Sequence, residues 1–127
     1  VSENLSNSLH DVSAVRTVIA AYIEGSKKCC IQTLKPLFHP QAVMTGVMVG
    51  TYDFSSPQPF FDELDGVPKD DCCTDYSAEI LSIDVFGAIA TATIKEQNLL
   101  GLNYVNAFHL VKSEGAWLIT SKIYQTW

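Results

Sequence analysis

The sequence predicts a single α+β domain in which helices come first and a curved antiparallel sheet follows. Three observations predict it. Apolar residues recur at helical spacing near the N-terminus, and β-forming runs broken by glycine turns fill the C-terminal half. Nothing in the 127 residues reads as a linker, a repeat or a low-complexity tract. A chain of this length buries roughly two-thirds of its unfolded surface, enough for a core without staples. The domain is expected to span residues 1–127 with its core at about 9–125.

The elements follow in order. Ser8-Leu-His-Asp11 has the form of a capping box, and Val12, Val15, Val18, Ile19, Tyr22 and Ile23 then repeat at helical spacing. Gly25 is the expected stop, giving a helix over about residues 9–24. Ser26 is placed to cap a shorter second helix through Cys30, Ile31 and Leu34, weakened at its end by Pro36. Residues 42–52, with Gly46 and Gly50 among β-formers, predict a short strand or bent hairpin. Ser56-Pro57 starts a third helix through Phe60, Phe61 and Leu64 that stops at Gly66. Residues 65–73 read as a loop. Strands are expected at Tyr76–Phe86, Ala88–Asn98, Tyr104–Lys112 and Trp117–Tyr124, joined at Gly87, Gly101 and Ser113-Glu114-Gly115.

Composition removes several functions. A formal charge of -6 with only eight basic residues, none in a run, opposes a nucleic-acid partner. No stretch reaches the ~18 apolar residues that span a bilayer. A cytoplasmic location is expected, with a removed signal peptide left open because the first residue is not Met. The four cysteines, Cys29-Cys30 and Cys72-Cys73, lack zinc-site spacing and read as structural thiols. A bridge between the pairs requires the loop around Cys72 to lie against the helix carrying Cys29. Three scattered histidines give no metal-ligand spacing, so no metal or cofactor is expected.

Several segments together resemble a known family. They are Tyr22 and Gly25 late in the first helix, then Leu37-Phe38-His39-Pro40 leading into Ala42-Val43-Met44. Ile80 to Gly87 and Ala88 to Ala92 follow, then Phe108-His-Leu-Val-Lys112, a glycine turn, Trp117-Leu-Ile and Lys122. Their order and spacing resemble the nuclear transport factor 2-like superfamily of cystatin-like folds. The nearest likeness is its lumazine-binding, SnoaL-like branch of small bacterial proteins, over about residues 9–125. The resemblance implies a cone, with helices wrapped by a strongly bent sheet and a pocket at the wide end. It also implies a homodimer through the outer sheet face. Its members include isomerases, cyclases and dehydratases, so function must be argued from the site.

Isomerase chemistry needs a carboxylate base and donors to an enolate oxygen. By the resemblance the donor positions fall on Tyr22 and Asn106, whereas the base position falls on Gly46, which accepts no proton. His39 and Asp53 are the candidate replacements, each weighed against a plainer role in loop bonding or turn formation. Alternation puts Tyr104, Asn106, Phe108 and Leu110 on one face of their strand, with Val105, Ala107, His109 and Val111 on the other. The first face is assigned to the pocket, together with Met44, Trp117 and Ile119. Phe108, Trp117 and Tyr22 could equally be core filling, and Asn106 could bond structurally, for example to Tyr22. Asp84 is expected to face solvent, and His109 to lie at a dimer contact. The reading is a pocket for a small hydrophobic or aromatic molecule, with Tyr22 and Asn106 orienting one polar atom. An isomerase, cyclase or dehydratase, and a dimerising domain with a filled pocket, are the alternatives.

Overall fold

Residues 9–68 and 74–127 are described by a computed structural model of the chain. Helix α1 spans Leu9–Lys28, past the expected stop at Gly25. That glycine serves close approach instead, since a Cβ there would sit 2.8 Å from Leu34 of helix α2 (Ile31–Leu34). The helix closes in a Schellman arrangement. Cys30 N–H donates to Gly25 O at 2.9 Å and Cys29 N–H to Ser26 O at 3.2 Å, with Cys29 at φ 50°. Ser26 is consequently buried inside α1, and Cys30 takes the N-cap position of α2 without a side-chain cap bond. A 3-10 turn, Lys35–Leu37, accommodates Pro36. The expectations for Ser8, Cys72 and Cys73 lie outside the described residues.

Six strands follow: β1 (Phe38–Met48), β2 (Thr51–Ser55), β3 (Ser77–Phe86), β4 (Ile89–Leu99), β5 (Leu102–Ser113) and β6 (Ala116–Thr126). Residues 42–52 are therefore a hairpin, and its first strand begins before the expected start. The sheet order is β2-β1-β6-β5-β4-β3. Every neighbouring pair is antiparallel except β1 with β6, which run parallel. The parallel pair arises because the chain leaves β2 through helix α3 (Gln58–Asp65), enters the far edge at β3, and meanders back to β1. The β4–β5 turn places Leu100 and Gly101 both at positive φ, 52° and 85°. This left-handed pair matches the twist of the flanking strands, and glycine takes the second position without penalty.

Val15, Ile19 and Tyr22 of α1 bury against the inner sheet face, where Ala92, Ile94, Phe108 and Ile119 are also fully enclosed. Burying one such aliphatic side chain stabilises the fold by roughly 1.5–3 kcal/mol, so this row carries much of the core. Tyr22 meets Phe108 edge-on with ring centroids 4.9 Å apart. At one end of the β5–β6 hairpin, Asp11 receives Lys112 Nζ at 3.0 Å and Trp117 Nε1 at 3.3 Å, tying the first turn of α1 to the sheet. His109 and Asp84 are exposed, as alternation expects. The outer face, where the resemblance expects a second copy, exposes Tyr52, Phe54 and Ile123. No described helix is long and apolar enough to cross a membrane.

Candidate functional site

Strand register builds the site before any side-chain detail. One row crosses the sheet through Ile94, Asn106, Tyr124, Gly46 and Asp53. The next row crosses through Ala92, Phe108, Lys122, Met44 and Ser55. Cross-strand partners share a face, so both rows bring their polar members to the concave side. Lys122 reaches it only because β6 is bulged. His109 pairs with Ser121 but Leu110 pairs with Ile119, leaving Thr120 unmatched. Before the bulge Trp117 and Ile119 point inward, and after it Lys122 and Tyr124 do, whereas strict alternation would have turned Ser121 and Ile123 in.

Lys122 is 4% exposed, an uncommon burial for an amine. Its Nζ lies 4.1 Å from the Phe60 ring centroid, 5.0 Å from that of Tyr22 and 5.7 Å from that of Tyr124. The ion pairs among the described residues are Lys28 with Glu24 and Lys112 with Asp11, so no described carboxylate comes within 4.0 Å of Lys122. Burial drives its ammonium down to a pKa of about 8, against an opposing pull from the charge of Glu96. The surrounding ring faces favour the cation but cannot replace its lost hydration shell.

Glu96 is itself fully buried. Its carboxylate accepts Tyr76 Oη at 2.6 Å and Asn106 Nδ2, so both oxygens are engaged. Behind it, Tyr22 Oη, Ser26 Oγ and Asn106 Oδ1 are buried with no hydrogen-bond partner among the described residues. Ser26 lies near enough to Tyr22 to favour the phenolate slightly, yet the two hydroxyls miss hydrogen-bonding geometry. Burial, and then the charge of Glu96, hold the Tyr22 phenol well above its ordinary range, so it stays protonated.

Gly46 is the gap that lets the first row close. A Cβ there would fall 2.4 Å from Tyr124 O and 2.5 Å from Tyr124 Cγ. With no side chain in the way, the Tyr124 ring lies against β1 and its Oη donates to Asp53 Oδ2 at 2.9 Å. Burial first, then this bond, raises the Tyr124 phenol far above the usual tyrosine range. Asp53 also receives Ser55 Oγ at 3.4 Å. A carboxylate thus reaches the site from β2, next to the glycine that could not supply one.

Lys122, Tyr124, Asp53 and Ser55 line an open-mouthed cavity of about 100 Å³. Met44, Phe60, Leu99 and Tyr104 give it apolar walls, and Lys122, Asp53 and Glu63 are its acidic and basic side chains. A largely apolar lining with few convergent polar groups is the usual composition of small-molecule sites. Tyr104, held up to about 12 by burial and then by the charge of Glu63, presents a protonated phenol.

Comparison with known proteins decides the family. The family described as "Putative lumazine-binding" matches residues 10–125. The chain belongs to this family. A solved nuclear transport factor 2-like protein of unknown function from Shewanella baltica is 32% identical, covers 96% of this chain and 98% of its own, and superposes with a TM-score of 0.87. Another from Methylobacillus flagellatus, at 21% identity and 97% coverage of both chains, shares the fold with a TM-score of 0.83. Aldolase FrzH from Cladobotryum is 25% identical over 127 residues, all of this chain and 98% of its own.

In this lumazine-binding family member the expected site residues divide. Met44, Tyr104 and Asp53 line the cavity. Tyr22, Asn106 and Phe108 lie one layer deeper, with Phe60 stacked on Tyr22 at 6.3 Å. Asn106 bonds to Glu96 and not to Tyr22. Trp117 sits toward the other end of β6, bonded to Asp11. His39 lines separate depressions, and its Nδ1 accepts the Gln41 N–H at 3.0 Å. The residues that sequence reasoning missed are Lys122, Glu96 and Tyr124. Glu96 follows Ala90, Ala92 and Ile94 in the inward phase of β4, a signal present in the sequence. Lys122 and Tyr124 had none, because the bulge at Thr120 reverses their phase.

Proposed function

We propose that the cavity binds a compact, largely apolar or aromatic carbonyl compound and promotes proton transfer at the carbon beside the carbonyl. That is the first step common to isomerase and aldol reactions. One observation carries the reading: an amine with no carboxylate partner among the described residues and a carboxylate held by a phenol line the same small, mostly apolar cavity. Asp53 serves as the base, oriented by Tyr124, and takes the place of the carboxylate that Gly46 cannot provide. Lys122 addresses the carbonyl oxygen or carbon, while Met44, Phe60 and Tyr104 hold the apolar body of the ligand. Tyr22 and Asn106 act from the layer behind, setting the polarity around Lys122. The full-length likeness to a protein named as an aldolase supports this class of chemistry.

The test is solvent deuterium exchange at the α-carbon of small aryl ketones such as phenylacetone, followed by NMR. Wild type is expected to exchange the bound ketone, and Asp53→Asn to lose about 100-fold or more in rate, a usual contribution of a positioned base. Binding without exchange above the buffer rate would instead support a carrier that performs no chemistry. In that case the base assignment fails.

A further inference from the structure

We infer that Lys122 works covalently, its uncharged amine condensing with the carbonyl carbon of the bound compound to form an imine. The inference deepens the function proposed above and rests on it.

Geometry is the first support. Lys122 lines the cavity with no described carboxylate in salt-bridge reach, so no ion pair among the described residues fixes it as a permanent ammonium. Glu96 acts on it only through its charge from beyond 4.0 Å, while its two oxygens accept Tyr76 and Asn106. The second support is the ring cage formed by Phe60, Tyr22 and Tyr124 around Nζ. Those faces would stabilise an iminium at the same place as they stabilise the ammonium. A desolvated amine whose pKa is lowered to about 8 has a reactive fraction near neutral pH, the usual activation of lysine nucleophiles.

The step balances with no oxidant or reductant. The Nζ lone pair attacks the carbonyl carbon, the C=O π pair moves to oxygen, and a proton transfers from nitrogen to oxygen to give a carbinolamine. Protonation of that hydroxyl and departure of water leave the iminium. Asp53 then removes the neighbouring C–H proton, and the electron pair shifts to make an enamine. Return of a proton at a carbon of the enamine gives an isomerised or exchanged product. Attack of the enamine on a second carbonyl gives an aldol. Water then hydrolyses the imine and restores the amine.

Reductive trapping tests it. Wild type is incubated with phenylacetone or benzaldehyde and cyanoborohydride, and the adduct is located by intact mass and peptide mapping. Binding of the same probe without reductant is measured in parallel by ligand-observed NMR. One adduct is expected on Lys122, formed at least about 10-fold faster than on any of the six other lysines, and saturating with probe. Its rate should climb between pH 7 and 8 as the amine appears. Asp53, Glu63, Glu96, Tyr22, Tyr104 and Tyr124 face this group from β2, α3, β4, α1, β5 and β6, and a displaced midpoint reports on their charges. Lys122→Met and Lys122→Arg should lose the adduct. Should either fail to fold by circular dichroism, protection of wild-type Lys122 by benzyl alcohol, which lacks a carbonyl, replaces it. Saturable binding with no adduct, or with adducts spread over surface lysines, overturns the covalent role and leaves the pocket standing. No binding of either probe overturns both.

Discussion

Gly46 shows how much of the site depends on one missing side chain. By the resemblance this is the position where a base is expected, and the structure shows what occupies the space instead. Its Cβ volume is taken up by Tyr124, whose hydroxyl holds Asp53. Gly46→Ala forces an overlap with backbone as well as ring, since Tyr124 O would be 2.4 Å away. It is expected to destabilise the fold by about 1–3 kcal/mol, the range for overpacking, and to free Asp53 from Tyr124. Denaturant unfolding checks the first part, and a fall in ketone exchange disproportionate to that loss checks the second. An alanine variant with wild-type stability would show that the three strands are not this tightly packed. Asp53 was legible in the sequence as an acidic group beyond the first strand. Its partnership with Tyr124 was not, because 71 residues separate them.

At the scale of elements, legibility followed periodicity. The inward row of β5, Tyr104, Asn106, Phe108 and Leu110, could be read directly because no bulge breaks its phase between those residues. Glu96 continued a readable row, but a carboxylate at a buried position only makes sense once Tyr76 and Asn106 are seen to bond it. On β6 the reading failed for a definite reason. A single unmatched residue, Thr120, exchanges the inner and outer rows, and a bulge carries no fixed sequence signature outside its glycine forms. Helix α1 misled in another way. Gly25 has the composition of a stop, yet its function is contact with Leu34, and the left-handed position belongs to Cys29. Local propensity gave way to packing at both places.

For the molecule as a whole, the buried amine has a cost that pH reveals. In the folded chain Lys122 has a pKa near 8, against 10.5 for the free side chain. Between these values the unfolded chain binds more protons than the folded one, so stability rises with pH. Below pH 8 the penalty is fully present, on the order of 3 kcal/mol if the whole shift is expressed. It is relieved as pH climbs from about 8 towards 10. Above that range the raised phenol of Tyr22 acts in the opposite sense, because the unfolded tyrosine ionises first. Chemical denaturation at intervals from pH 7 to 10 should therefore show a rise for wild type that Lys122→Met lacks. Equal slopes in the two proteins would mean that Lys122 is solvated in solution. A domain that retains such a destabilising residue beside a small cavity does so at the position where chemistry is proposed, the usual setting of strongly shifted groups.

The most direct measurement is the titration of the lysine side chains by NMR, following the Cε carbons of protein labelled with 13C-lysine. One of the seven lysines is expected to titrate near pH 8, to vanish from the spectrum of Lys122→Met, and to move when phenylacetone is added. Seven lysines all titrating near 10.5 would contradict the account, leaving a cavity without a reactive amine.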